Sequence, residues 1–451
     1  MQAYVKKELP HHLLCLAAGL ALALGFYFYP LETLVKYLAA ALAAGAVLYN
    51  PAAGLYLVAG LLPFLPNTSL LLLGGLVGFS FLLHRVWQRK IKLEPVASEP
   101  VLVLFIAAVF VFSAIALNPQ GSVRELSIYA VSFVLFFTLV NQLDSKERLY
   151  RFLAFSLLAA LVVSFHGIYQ YIIGVPVESA WVDVDRHPLL RIRVYSVFGN
   201  PNILAEYLVM LIPFGLALGL SVRDAWKRSL FLGITALMGL TMLLTFSRGG
   251  WVGLAAALVF FVLLKDWRFL LLLVPLAAVG MLFMPQVILE RLVTIVSLDD
   301  TSNLYRLVVW REALGIIRDF WAAGVGLGYQ NFLEVYPYYM ITRVKTPFHV
   351  HNTYLQFLVE TGIVGFTLFI WLLASVMKKG IKSLRGAVDP FLKNITIAAL
   401  AATAGVMIQG FGEHILYMPK IITVFWLNLA VIFSCIRLQQ DAGRMQDDRQ
   451  V

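Results

Sequence analysis

Apolar residues along this chain do not alternate with polar ones; they come in blocks separated by short polar or proline-bearing breaks. A helix that crosses a bilayer needs about 20 such residues. The pattern predicts spans near 12–29, 32–49, 52–65, 67–83, 101–117, 125–142, 151–174, 200–221, 229–246, 249–264, 269–285, 352–377, 392–412 and 419–437. Pro63 and Pro66 split the early pair. Residues 286–350 form the single long stretch without a span, and residues 175–199 form a shorter polar gap. Ten-residue alternating strands, the mark of a membrane barrel, do not occur. The expectation is an all-α polytopic membrane protein of about 12–14 transmembrane helices, because irregular backbone and open sheets do not survive facing lipid. Three regions follow: N-terminal membrane helices over 1–190, a region 191–380 that contains the 286–350 loop, and C-terminal helices with a tail over 381–451.

Composition agrees. The 451 residues are 61% hydrophobic and 13% charged, where soluble domains carry about 25% charged residues. Cys15 and Cys435 both lie inside apolar runs, so neither zinc spacing nor a disulfide framework is present. Lys6 and Lys7 precede an apolar run in the manner of a signal peptide, but the many later spans favour an uncleaved first helix.

The net charge of +10 fits membrane topology rather than nucleic-acid binding. With a cytoplasmic N-terminus, 22 of the 35 basic residues fall inside, both termini are cytoplasmic, and the 286–350 loop is extracytoplasmic. The 13 outer basic residues are ten arginines and only three lysines, Lys36, Lys345 and Lys420. A guanidinium fork grips phosphate oxygens in pairs, whereas an ammonium is a point charge. An outer face that keeps arginine against the topological bias is suited to holding an anion.

Three segments carry these arginines. Residues 191–202 hold Arg191 and Arg193 and lead into a span, with Asn200 as cap, Pro201 in the first turn and Asn202 after it. Arg191 and Arg193 alternate along an extended stretch, so one of them faces inward, and Arg193 is favoured. Residues 246–250 place Arg248 in a tight turn beside Gly249 and Gly250, which let backbone approach a ligand. Residues 303–312 begin an amphipathic helix with Arg306 and Arg311. Arg306 stands near a helix start, where the dipole disfavours a cation. Arg311 is read as a surface partner of Glu312 or of headgroups, and Arg291, Arg318 and Arg343 as solvated.

His351 stands at the mouth of a span, and neutral imidazole is the usual general base near pH 7. Asn352 beside it is the better cap, which frees the histidine, and His349 is its understudy. Glu360 lies roughly 13 Å further along the helix, too far for contact. Glu413 with His414 forms a second, less favoured acid/base pair. The Gly324-Val-Gly-Leu-Gly328 run lacks a Walker lysine and reads as a flexible turn near a diphosphate. Trp181, Trp310, Trp321, Tyr336, Tyr338 and Tyr339 read as interfacial aromatics. Asp183 with Asp185, and Asp299 with Asp300, lack a further ligand set, so no metal and no cofactor is expected.

Taken together, Phe198-Gly-Asn-Pro-Asn202, Ser247-Arg-Gly-Gly250, Arg306 followed by Trp310, the Gly324–Gly328 run, and His351-Asn352 with Gly362-x-x-Gly365 nine residues on resemble the O-antigen ligase and O-antigen polymerase family. The resemblance covers roughly 190–380. It implies a C-type glycosyltransferase fold and metal-independent, inverting transfer of a glycan from an undecaprenyl-diphosphate carrier on the outer face of the cytoplasmic membrane. The acceptor hydroxyl would belong to a lipid A core sugar, another lipid-linked repeat or a protein. By position, His351 would be the base and Arg193 and Arg248 would hold the diphosphate. Arg306 would assist, and Arg191, Arg311, Asn200, Asn202 and Asn352 would line the substrate site. The partners would be that donor, a saccharide or lipid-linked acceptor and the bilayer, with no nucleic acid. A transporter of a small anion such as bicarbonate, or a non-catalytic assembly subunit, are the competing readings.

Overall fold

The computed structural model describes residues 23–447 except 90–98, 177–189, 191, 296–300 and 342–346, together with a few positions before 23. Arg191, Arg343, Trp181, Asp183, Asp185, Asp299, Asp300 and Cys15 lie outside the described residues. The described chain is helical throughout, and its sole extended pairing is an isolated bridge between Pro176 and Ile192. Ten helices among the described residues are long and apolar enough to cross a membrane. They are α1 Leu31–Tyr49, α3 Asn67–Trp87, α5 Pro119–Gln142, α6 Lys146–Ile173, α7 Pro201–Ser221, α8 Ala225–Leu244, α9 Arg248–Asp266, α14 Thr353–Arg385, α15 Pro390–Gln409 and α16 Pro419–Asp447. Two apolar helices fall short, α2 Pro51–Leu61 and α4 Pro100–Ala114, as does α10 Leu270–Leu282. The sequence expects full spans at all three places. In α2 the reason is local: Asn50 caps the start, and the chain leaves the helix at Leu62, ahead of Pro63 and Pro66. That leaves 11 residues, about 16 Å by helical rise.

The expected non-spanning stretch 286–350 is built from three short helices, α11 Gln286–Val293, α12 Thr301–Asp319 and α13 Tyr329–Val335. The second and third of these form a separate small core around Val309, Ile316, Phe332 and Tyr336, whereas α11 joins the main core of the bundle through Ile288. Glu312, expected at the surface beside Arg311, is buried in this core, bonded to the Tyr336 hydroxyl and to the Ile341 amide. Arg311 is exposed on the other side of α12.

Within the membrane bundle, α7, α15 and α16 are the most enclosed helices. The closest crossing is α9 on α15. A Cβ on Gly253 would lie 2.9 Å from the Gly405 carbonyl, and one on Gly405 would lie 2.6 Å from the Gly253 carbonyl. Small residues let helix backbones touch in lipid, where burial of apolar surface gives no drive to associate. This crossing fixes the start of α9 against the end of α15, and Gly250 meets Ala205 near the start of α7.

Charge partitions between the two ends of the bundle. At the end opposite the site, Lys146 pairs with Asp389 at 2.6 Å, Lys265 bonds Asn394, and Arg437 donates to the carbonyls of Val140 and Leu143.

The 33-residue α14 is broken at Gly362, whose φ of 59° and ψ of −165° are non-helical. The Gly324–Gly328 run fills the break. The Ile363 amide donates to the Trp321 carbonyl at 2.8 Å, and the amides of Val325 and Gly326 donate to the carbonyls of Val359 and Glu360. Three backbone groups at the break, the Ile363 amide and the carbonyls of Val359 and Glu360, are thereby satisfied, as burial demands. The run expected to be a flexible turn near a diphosphate is instead a structural plug in a helix kink.

Candidate active site

Loop 192–199, the α8–α9 turn, α11, the start of α12 and the α15–α16 turn meet at one end of the bundle around a cavity of about 500 Å³. Four arginines line it: Arg193, Arg248, Arg291 and Arg306. Arg193 is almost fully buried; its Nε donates to the Thr245 carbonyl at 3.0 Å and an Nη to Asn202 Oδ1 at 3.2 Å. The neighbouring amide of Val194 bonds the Leu244 carbonyl, so the 192–199 loop is docked on the end of α8. Arg248 is the first residue of α9, held by the Ser247 cap, and donates to the Thr294 carbonyl at 2.7 Å. Arg291, expected to be solvated, is 7% exposed, donates from Nε to the Phe246 carbonyl and faces the same cavity. This bond docks α11 on the arginine-bearing α8–α9 turn, a contact that the local sequence does not announce. Arg306 donates to Ser302 Oγ, and its second Nη lies 3.5 Å from Glu413.

Burial, and then the charges of Arg291, Arg248 and Arg306, push the Arg193 pKa down to about 9; Glu413 opposes them. The guanidinium stays protonated at neutral pH, so four like charges stand around one cavity. An anion relieves that repulsion. The starts of α7, α9 and α14 also converge here, and each adds partial positive charge.

Glu413 is the hub of the site. Its Oε1 lies 2.8 Å from His351 Nδ1, and its Oε2 accepts from Asn202 Nδ2 at 3.0 Å and faces Arg306. Asn202 in turn accepts from Ser247 Oγ and from Arg193, so one hydrogen-bond chain joins the histidine to the arginine cluster. Burial raises the Glu413 pKa. The imidazoles of His351 and His349 and the Arg306 guanidinium override it and hold the carboxyl well below its usual range. A carboxylate on Nδ1 assigns the proton to that nitrogen and leaves the Nε2 lone pair basic. His351 has a positive φ of 54°, and its backbone amide bonds His349 Nδ1.

The start of α14 is stapled to the 410–415 turn, and this sets the pair. Thr353 N donates to the Gly410 carbonyl, and Thr353 Oγ1 donates to the Glu413 carbonyl while accepting from the Ile415 amide. Asn352 caps α14 through Oδ1 and donates to the Phe411 carbonyl. Asn352 and Asn200, expected to contact substrate, thus use their side chains as helix caps, Asn200 for the Asn202 amide. Arg311 stands apart from the cavity, and Arg318 is exposed beside Asp319. Glu360 bonds Gln356, which accepts from the Val350 amide, and does not reach His351.

Glu413 is paired with His351, 62 residues away, rather than with His414 as the sequence suggests. His414 is buried, and burial pushes its pKa down to about 3. Burial, followed by the neighbouring His351, likewise holds His349 well below the usual imidazole range. Glu413 and Gln409 stand out in the sequence only through the Gln409-Gly-Phe-Gly-Glu-His414 interruption of an apolar run.

His349, His351 and Glu413 bring donor atoms within 4.8 Å of one another, the one grouping among the described residues able to hold a metal ion. Their chemistry favours the hydrogen-bonded pair. Glu413 already accepts at both oxygens, and four nearby guanidinium groups oppose a further cation.

Fold and site together define a multi-pass helical membrane protein with an arginine-lined cavity beside a carboxylate-oriented histidine. Residues 233–370 match the family model described as O-antigen ligase, and this match supports the O-antigen ligase and polymerase family. The matched region contains Arg248, Arg291, Arg306 and His351, while Arg193 and Glu413 reach the site from outside it. The chain matches no curated protein.

Proposed function

We propose that the cavity transfers a glycan from a polyprenyl diphosphate, undecaprenyl diphosphate by family resemblance, to an acceptor hydroxyl at the external membrane boundary. The observation that carries this reading is the hydrogen-bond chain that runs from His351 through Glu413 and Asn202 to Arg193. His351 Nε2 takes the acceptor's hydroxyl proton as the oxygen attacks the anomeric carbon from the face opposite the diphosphate. The new C–O bond forms with inversion, the old one breaks, and the diphosphate leaves with the electron pair. Glu413 stabilises the imidazolium that forms. Arg193, Arg248, Arg291 and Arg306 stabilise charge growing on the diphosphate; fixed charges in a low-dielectric site do this without reorganising. A diphosphate leaves readily, so no acid is required.

A carrier of small anions holds its anion-binding groups near mid-membrane. Here the arginines gather at one end of the bundle, which favours the transferase. The test uses purified protein in proteoliposomes with a lipid-linked glycan donor and a saccharide acceptor. Wild-type protein should release undecaprenyl diphosphate. His351→Ala should lower turnover by about 10²–10⁴-fold and Arg248→Ala should weaken donor binding, both with unchanged elution in detergent. Full turnover in His351→Ala removes the assigned base.

A further inference from the structure

Gln409 ends α15 and borders the arginine cavity. It is 2% exposed, and neither its Oε1 nor its Nε2 has a hydrogen-bond partner in the protein. Its side chain lies across the first turns of α9: a Cβ on Gly253 would stand 3.0 Å from Gln409 Cβ, and one on Gly249 would stand 3.7 Å from its Cγ. Gly253 therefore leaves room for this side chain, four residues from Glu413 and against the helix that carries Arg248. A buried amide without partners forfeits the hydrogen bonds that both its polar atoms made to water, so a merely packed residue here would be better as leucine. Burying it beside a ligand cavity makes sense if a ligand completes it.

The kind of ligand follows from the two atoms. A phosphate oxygen only accepts and would satisfy Nε2 alone. A sugar hydroxyl or acetamido group both donates and accepts, and satisfies the whole amide. We propose that Gln409 is a specificity-determining residue that reads the hydroxyl or acetamido groups of the sugar next to the diphosphate. This rests on the transferase reading of the same cavity. A site built to bond such a group discriminates strongly against a ligand that lacks it, because its own polar atoms are left unpaired.

The test compares full-length wild type with Gln409→Leu, in detergent, for binding of bare undecaprenyl diphosphate. The same lipid carrying a single glucose, galactose or N-acetylglucosamine provides the other probes. Wild type should bind at least one glycosylated lipid about tenfold or more tightly than the bare lipid. Gln409→Leu should erase that gain, hold bare-lipid affinity within about twofold, and melt at the same temperature or higher. No gain from any sugar in wild type, a gain that persists in Gln409→Leu, or an equal loss for bare lipid each overturns the assignment while leaving the diphosphate site intact. Failure of bare lipid to bind, or binding unchanged by Arg248→Ala, instead overturns the transferase reading beneath it.

Discussion

Each arginine in the cavity is anchored by a backbone carbonyl or a polar side chain, so the charges are placed before substrate arrives. The site's histidines differ in burial, and this gives a pH signature. His414 is 6% exposed and its pKa is held at about 3, against an unfolded value near 6.5. A depressed pKa means the unfolded chain binds the extra proton. The neutral form's contribution is complete above about pH 6.5 and is lost as pH falls from there toward 3. His349 acts with the same sign. Acidifying from pH 7 to 5 should therefore remove about 2 kcal/mol of stability through His414, visible as a falling melting temperature in detergent. His414→Leu should flatten that fall; an unchanged slope would show that His414 is not the group titrating. Glu413, held low, contributes above the ordinary carboxylate range and is lost only in stronger acid.

Among the elements, α14 carries the most dependent geometry. Its break at Gly362 sets the direction of the turn that presents His351, and the 321–326 segment fits the break with no spare room. A Cβ at Gly362 would lie 2.4 Å from the Ala322 carbonyl carbon, and one at Gly324 would lie 2.4 Å from that of Glu360. Both positions also have positive φ, 59° and 71°. Gly362→Ala should destabilise by at least about 2 kcal/mol, combining left-handed strain with a backbone clash. A variant that retains wild-type melting temperature and monodispersity would contradict the plug.

For the molecule as a whole, the decisive question is which side of the bilayer the cavity faces. The positive-inside rule, applied to the excess of lysine at the opposite end, predicts that end in the cytoplasm and the cavity outside. In a variant lacking Cys15 and Cys435, a cysteine at Arg311 should react with a membrane-impermeant maleimide on intact cells. A cysteine at Arg444 should react only after permeabilisation. The reverse pattern would put the arginines on the cytosolic side and end the case for transfer at the outer surface.

What the sequence determined by itself follows from forces that act locally. Block length set the helices, lysine asymmetry set the expected topology, and the runs around Arg193, Arg248, Arg306 and His351 marked the site, because those residues carry their chemistry in short segments. The tertiary structure alone decided the membership and wiring of that site. Arg291 is drawn in by the packing of α11, and Glu413 reaches His351 because Thr353 and Asn352 staple the start of α14 to a turn some 60 residues on. The Gly324–Gly328 run becomes a plug because Gly362 opens a helix. Contacts between residues so far apart in the chain depend on how helices cross, and helix crossing is fixed by packing surfaces that no single segment contains.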